Sequence, residues 1–200
     1  MKERIVADLS RLPLHGMASA SATWWGTLAF MLIEATGFAL ALAVYLYLMS
    51  IAVTWPMDAP APDLLPGTVV TLILAASVVP NYLVSRWAER EDLRKVQIGM
   101  IVMSIVGIVP LIIRAFEFSA LKVSWDTNAY GSIVWILLGL HTTHIITDVA
   151  DTLVLAALMF TRHGDNRRRF GDLQDNAMYW NFVVVTWLPI YGCIYWIPRL

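Results

Sequence analysis

The sequence predicts an all-α, polytopic membrane bundle of five transmembrane helices, and three observations carry that prediction. Of 200 residues, 58% are hydrophobic and only 14% charged, against roughly 25% charged in soluble domains. A water-facing surface needs charge, whereas a lipid-facing one excludes it. The apolar residues also form continuous runs long enough to cross a bilayer, for which about 20 residues suffice. Such runs must pair every backbone group within themselves and are helices rather than alternating barrel strands. Finally, Lys and Arg alternate from loop to loop, which orients the spans.

The first run extends from about Trp24 to Ser50, the second from Leu64 to Arg86 and the third from Val96 to Ala115. The fourth extends from Ala129 to Phe160, long enough to tilt or to project beyond the bilayer, and the fifth from Ala177 to Ile197. Pro80, Pro110 and Pro189 fall in or near spans and predict kinks. Pro56, Pro60, Pro62 and Pro66 stiffen the first loop. Residues 1–22 read as a cytoplasmic N-terminal segment without a cleavable-signal pattern. Residues 23–200 read as one membrane domain without internal repeats.

Lys2, Arg4 and Arg11 precede the first run, and the loop with Asp58 and Asp63 has no Lys or Arg. Arg86, Arg90, Arg94 and Lys95 follow the second run, Lys122 alone follows the third, and Arg162, Arg167, Arg168 and Arg169 follow the fourth. Cationic loops stay inside, so the N-terminus is expected in the cytoplasm and the C-terminus outside. The arginine cluster also suits anionic lipid headgroups. Trp24, Trp25, Trp55, Trp87, Trp125, Trp187 and Trp196 lie near span ends and read as interfacial anchors. The net charge of −1 gives no reason to expect a nucleic-acid partner, and Cys193, the single cysteine, permits no internal disulfide.

Ionisable groups inside a bilayer are costly and mark function. Here they are Glu34, Arg114, Glu117, His141, His144, Asp148 and Asp151. His141, His144, Asp148 and Asp151 are spaced three, four and three apart and share one helix face. That face must meet protein, water or a ligand. One reading is a metal site, as in carboxylate-histidine bundles; the other is a hydrogen-bonded polar seam between helices, with Glu34 taking part. Arg114 and Glu117 are three apart, so a local ion pair is expected. It would let Arg114 snorkel to the interface, with a lipid phosphate as the alternative partner. The two histidines of the spans share one helix and cannot clamp a haem from both faces. No GxxxxGK[ST], GxGxxG or HExxH pattern occurs.

Three segments then point to a family. The first run reads WWGTLAFMLIEATGF, with Trp25, Gly26 and central Glu34. The middle reads RAFEF and then DTNAYGSIVWILLGLHTTHIITD, with Glu117, Tyr130, Gly131, Ser132, Gly139, His141 and His144. The end reads YWNFVVVTWLPIYGCIYW, with Tyr179, Trp180, Phe182, Val183, Val185 and Trp187. From Trp24 onward the chain resembles cytochrome c oxidase subunit III, in a five-helix form without the family's first two helices. It departs from that pattern at Asn181, where the family has His, and at Val184, where it has Asp. Arg114 stands where the family has Gln, Thr142 and Thr143 where it has a small pair, and Asp148 where it usually has Gly.

The resemblance implies an accessory subunit without redox cofactors of its own. Haem and copper would belong to the catalytic subunits I and II, its partners in a haem-copper oxidase of a prokaryotic inner membrane. Assembly, phospholipid binding and support of proton uptake would be its roles, with Glu34 and His144 as the central polar pair. A cytochrome c or a quinol oxidase would fit, as would a subunit III-like partner of a nitric oxide reductase. Readings from other classes are a stand-alone metalloenzyme using the same acids and histidines, and a small transporter.

Overall fold

The computed structural model describes residues 22–162, 164 and 166–200. The N-terminal segment expected at residues 1–22 therefore lies, but for Ala22, outside the described residues. The chain forms α1 (Ala22–Ile51), α2 (Leu64–Glu89), α3 (Leu93–Ala120), α4 (Ala129–Met159) and α5 (Arg167–Tyr191). A π turn at Gly192–Trp196 and a 3₁₀ turn at Ile197–Arg199 follow α5. Among the described residues, five helices are long and apolar enough to cross a membrane. At 1.5 Å per residue the 31-residue α4 is about 46 Å long, well beyond the roughly 30 Å hydrocarbon core.

Local chemistry sets the helix starts. Asp92 caps α3 by accepting from the Lys95 amide at 3.3 Å, and its carboxylate also meets Lys95 Nζ at 2.7 Å. The Lys95 ammonium and amide hold this carboxyl below the usual aspartate range. Asn128 caps α4 through the Gly131 amide at 2.7 Å, and Asn166 caps α5 through the Arg168 amide at 3.0 Å. Pro66, read from sequence as part of the loop, lies in the first turn of α2, where its missing N–H costs nothing.

The fifth helix starts ten residues before the apolar run predicted at Ala177. Phe170, Leu173, Ala177, Trp180, Val184 and Trp187 are all buried, a stripe spaced three and four apart. The stripe and the Asn166 cap carry the helix through RRRFGDLQDN, although that stretch is polar. Arg167, Arg168 and Arg169 consequently lie in the first turn rather than in a loop.

Helix α4 sits at the centre and buries fourteen residues, whereas α1 buries only Phe38 and Tyr45 and packs against α4 and α5. Helix α2 packs on α3 and α5, and α3 on α4. Apolar area gives no preference for helix over lipid, so close approach and hydrogen bonds select the partners. A polar ladder joins α2 to α5. The Thr68 and Tyr191 hydroxyls are 2.8 Å apart, and Trp187 Nε1 donates to Thr71 Oγ1 at 2.7 Å. Trp180 Nε1 donates to Ser77 Oγ at 2.8 Å, and Asn81 Nδ2 donates to the Ala177 carbonyl at 2.8 Å and to Asn181 Oδ1 at 3.0 Å. Trp187 is thus fully buried and not an interfacial anchor, because its indole N–H finds an acceptor inside the bundle. Trp125 and Trp196 remain exposed.

Glycine permits close contact of α3 with α4. A Cβ on Gly107 would lie 2.7 Å from Val149 Cγ2, whereas one on Gly139 meets no atom within 4 Å. Valine is stiff at χ1 and cannot yield easily. Gly107→Ala is expected to lower the unfolding free energy by about 1–3 kcal/mol through overpacking. Gly139→Ala should be neutral or slightly stabilising, as Ala is the better helix former. Unfolding midpoints of the two variants in one detergent check both.

Candidate functional site

The polar side chains of the spans fall into two groups. The first is dry and lies where α3, α4 and α5 meet. Arg114 and Glu117, one helical turn apart on α3, are 1% and 0% exposed, with Arg114 Nη1 donating to Glu117 Oε2 at 2.7 Å. Arg114 Nη2 contacts His141 Nδ1 at 3.2 Å, and His141 Nε2 contacts the Val183 carbonyl at 2.9 Å. A guanidinium only donates and a carbonyl only accepts. His141 is therefore neutral, accepting at Nδ1 and donating from Nε2. Tyr195 donates to Glu117 Oε1 at 2.5 Å, and the guanidinium carbon lies 4.2 Å from the Trp187 ring centre.

This overturns the expectation that Arg114 snorkels to the interface or meets a lipid phosphate. The ion pair was legible from the spacing. What spacing does not reveal is that α4 and α5 cover it with His141, Trp187 and Tyr195. Within this group only Arg114 Nε lacks a hydrogen-bond partner among the described residues.

The second group lines a cavity of about 530 Å³ between α1, α4 and α5, at the end where α1 begins and α4 ends. At its inner end His144 Nε2 lies 3.1 Å from Glu34 Oε1, and Tyr179 donates to Glu34 Oε2 at 2.8 Å. His144 Nδ1 donates to the Leu140 carbonyl at 2.7 Å, which fixes the ring and leaves Nε2 for Glu34. The contact requires one proton between Nε2 and Oε1, on either atom. Phe38 packs on the imidazole with ring centres 4.7 Å apart. Three helices therefore build one acid-imidazole-phenol unit.

Nearer the helix ends, Asn176 Nδ2 faces Asp148 Oδ1 at 3.4 Å and Asp151 Oδ2 at 3.2 Å. Asp148 is buried and Asp151 exposed. Asp172 and Asp175 of α5 also line this space, as does Arg169, whose Nη1 is 3.1 Å from Asp172 Oδ2. Asp172, Asp175 and Asn176 were missed from sequence because they precede the predicted start of the fifth span. Their spacing of three and one, within the Phe170–Leu173–Ala177 stripe, was the available signal.

The four polar residues of α4 do not converge. His141 faces Arg114, His144 faces Glu34, and the two aspartates face Asn176. Among the described residues no group of three or more His, Cys, Asp or Glu side chains is placed to hold a metal ion. The four thus meet partners on different helices along a hydrogen-bonded seam.

The motif residues at the start of α4 serve packing. Tyr130 and Gly131 are buried, and Ser132 Oγ donates to the Trp125 carbonyl at 2.6 Å. A Cβ on Gly131 would collide with the Ser124 carbonyl, so this glycine seats α4 against the preceding loop. Trp25 and Gly26 are exposed on the first turns of α1.

A family model for cytochrome c oxidase subunit III matches residues 5–198. The chain belongs to the cytochrome c oxidase subunit III family. It is 30% identical over 152 residues to cytochrome c oxidase subunit 3 of Paracentrotus lividus, covering 74% of this chain and 57% of that one. The Thermostichus vulcanus protein is 24% identical over 176 residues, covering 87% of each chain, and that of Drosophila yakuba 25% over 191 residues, covering 92% and 72%. The chain thus spans little more than half the length of the sea-urchin relative.

Removing Arg114 strands Glu117 in a dry interior. Arg114→Met is expected to cost about 3–5 kcal/mol, and the double variant Arg114→Met/Glu117→Gln to recover most of it. Unfolding of both in mixed detergent micelles measures the difference, and equal losses would show that the charge is compensated elsewhere.

Proposed function

We propose that this chain is an accessory subunit of a haem-copper terminal oxidase in a prokaryotic plasma membrane. It would pack against catalytic subunit I, with subunit II in the same complex, and carry no redox centre of its own. Haem and copper would reside in the partners. The Lys and Arg distribution supports a cytoplasmic N-terminus and an external C-terminus, with residues 1–22 as the cytoplasmic segment and 23–200 as the membrane domain. The relatives, each a cytochrome c oxidase subunit 3, support membership of such a complex.

The observation that carries a role beyond packing is the Glu34–His144–Tyr179 unit at the inner end of the cavity. It ties α1, a helix with few buried residues, to α4 and α5, and it holds a proton at a position reachable from the cavity. In this reading the unit maintains the helix arrangement needed for assembly and supports proton supply to the partner. The cavity itself, partly apolar through Phe30, Val154 and Leu158, suits a phospholipid chain.

A tagged chain, pulled from native membranes in mild detergent, should bring stoichiometric haem bands in the reduced-minus-oxidised spectrum. A preparation that reduces nitric oxide but not oxygen would move the chain to the other haem-copper class, and one without haem would sink the proposal. Glu34→Ala should reduce co-purified catalytic subunit severalfold while leaving band positions unchanged. A fully assembled and equally durable variant complex would count against the role assigned to Glu34.

A further inference from the structure

The wider end of the cavity is lined by more acidic than basic side chains. Asp148, Asp151, Asp172 and Asp175 line it, and Glu34 closes its inner end. Arg169 is already engaged with Asp172, and His144 with Glu34. Asp148 is only 2% exposed, yet its Oδ2 has no hydrogen-bond partner among the described residues, and neither does the buried Oδ2 of Asp175. A buried carboxylate without a partner is costly. Two such oxygens, contributed by different helices to one cavity, therefore call for a donor from outside.

The shape of the site selects the kind of donor. The described carboxylates are too dispersed to form a three-ligand metal cluster, and the cavity of about 530 Å³ is large beside a bare ion. Its lining is mixed, with acids beside Phe30, Val154, Leu155 and Leu158. A group with several N–H donors, a positive charge and an alkyl stem matches both kinds of lining. We propose that this cavity binds a primary ammonium group, with Asp148 Oδ2 and Asp175 Oδ2 as its principal acceptors. The ammonium can come from an aminophospholipid headgroup or from a soluble alkylamine. The inference concerns this chain alone and stands whether or not the chain serves an oxidase.

The full chain, reconstituted in nanodiscs of phosphatidylcholine only, is titrated calorimetrically with butylammonium, with tetramethylammonium as an equally charged ion lacking N–H donors. In parallel, native mass spectrometry compares retention of phosphatidylethanolamine with that of phosphatidylcholine. Asp148→Asn and Asp175→Asn keep side-chain shape, and the unfolding midpoint of each confirms that it is folded. Loss of one charge-assisted hydrogen bond should weaken binding about tenfold in each variant. Butylammonium binding with that loss supports the site with a soluble amine as source. Selective phosphatidylethanolamine retention with the same loss supports it with a lipid as source. Equal binding of both ammonium ions, retention unchanged in both variants, no binding by either route, or displacement of the amine by millimolar magnesium overturns the proposal.

Discussion

A guanidinium enclosed by helices in a membrane has to be neutralised within the protein, and much of this bundle is arranged around that requirement. Arg114 cannot shed its charge, and a lone buried ion is prohibitively costly. Glu117 supplies the counter-charge one turn away, His141 an acceptor from α4, and Trp187 a π face from α5. Tyr195 then occupies the second oxygen of Glu117. The one contact that a helix makes with itself thereby recruits two more helices, and those helices are held in the register that these directional bonds need.

The consequences reach the cavity. His141 is engaged by Arg114 and by the Val183 carbonyl, while His144, one turn further along α4 and about 60° around it, meets Glu34 of α1. The two histidines serve opposite ends of one polar seam, one a dry structural junction and the other bordering open space. Helix α1 contributes little apolar burial, and its polar ties to the bundle include Glu34, to His144 and Tyr179, and Tyr45, to the Cys193 carbonyl. The cavity exists because α1 touches α4 and α5 without filling the wedge between their ends.

Much of the fold was legible because bilayer physics is written in composition. Continuous apolar runs marked α1 to α4 to within a few residues of their ends. The start of α5 was not legible from mean hydropathy, since a buried stripe and an Asn cap carried a polar stretch into the helix. Trp187 shows the same gap: it was read as an interfacial anchor, yet it lies mid-span and Thr71 of another helix accepts its N–H. Arg114 was read as an interfacial residue for a similar reason, because depth along a helix says nothing about what covers the side.

The sequence by itself determined that five helices span a membrane, that an acid-histidine-aspartate face on α4 turns away from lipid, and which family the motifs resemble. Helical periodicity and the cost of unpaired polar groups in hydrocarbon are local rules, readable from spacing alone. Only the tertiary structure decided which partner each polar group met. It separated His141 from His144, buried Arg114, and brought Asp172, Asp175 and Asn176 to face Asp148 and Asp151. Those pairings depend on helix rotation and neighbour identity, set by contacts between residues far apart in the chain, 145 positions for Glu34 and Tyr179, which no local pattern encodes.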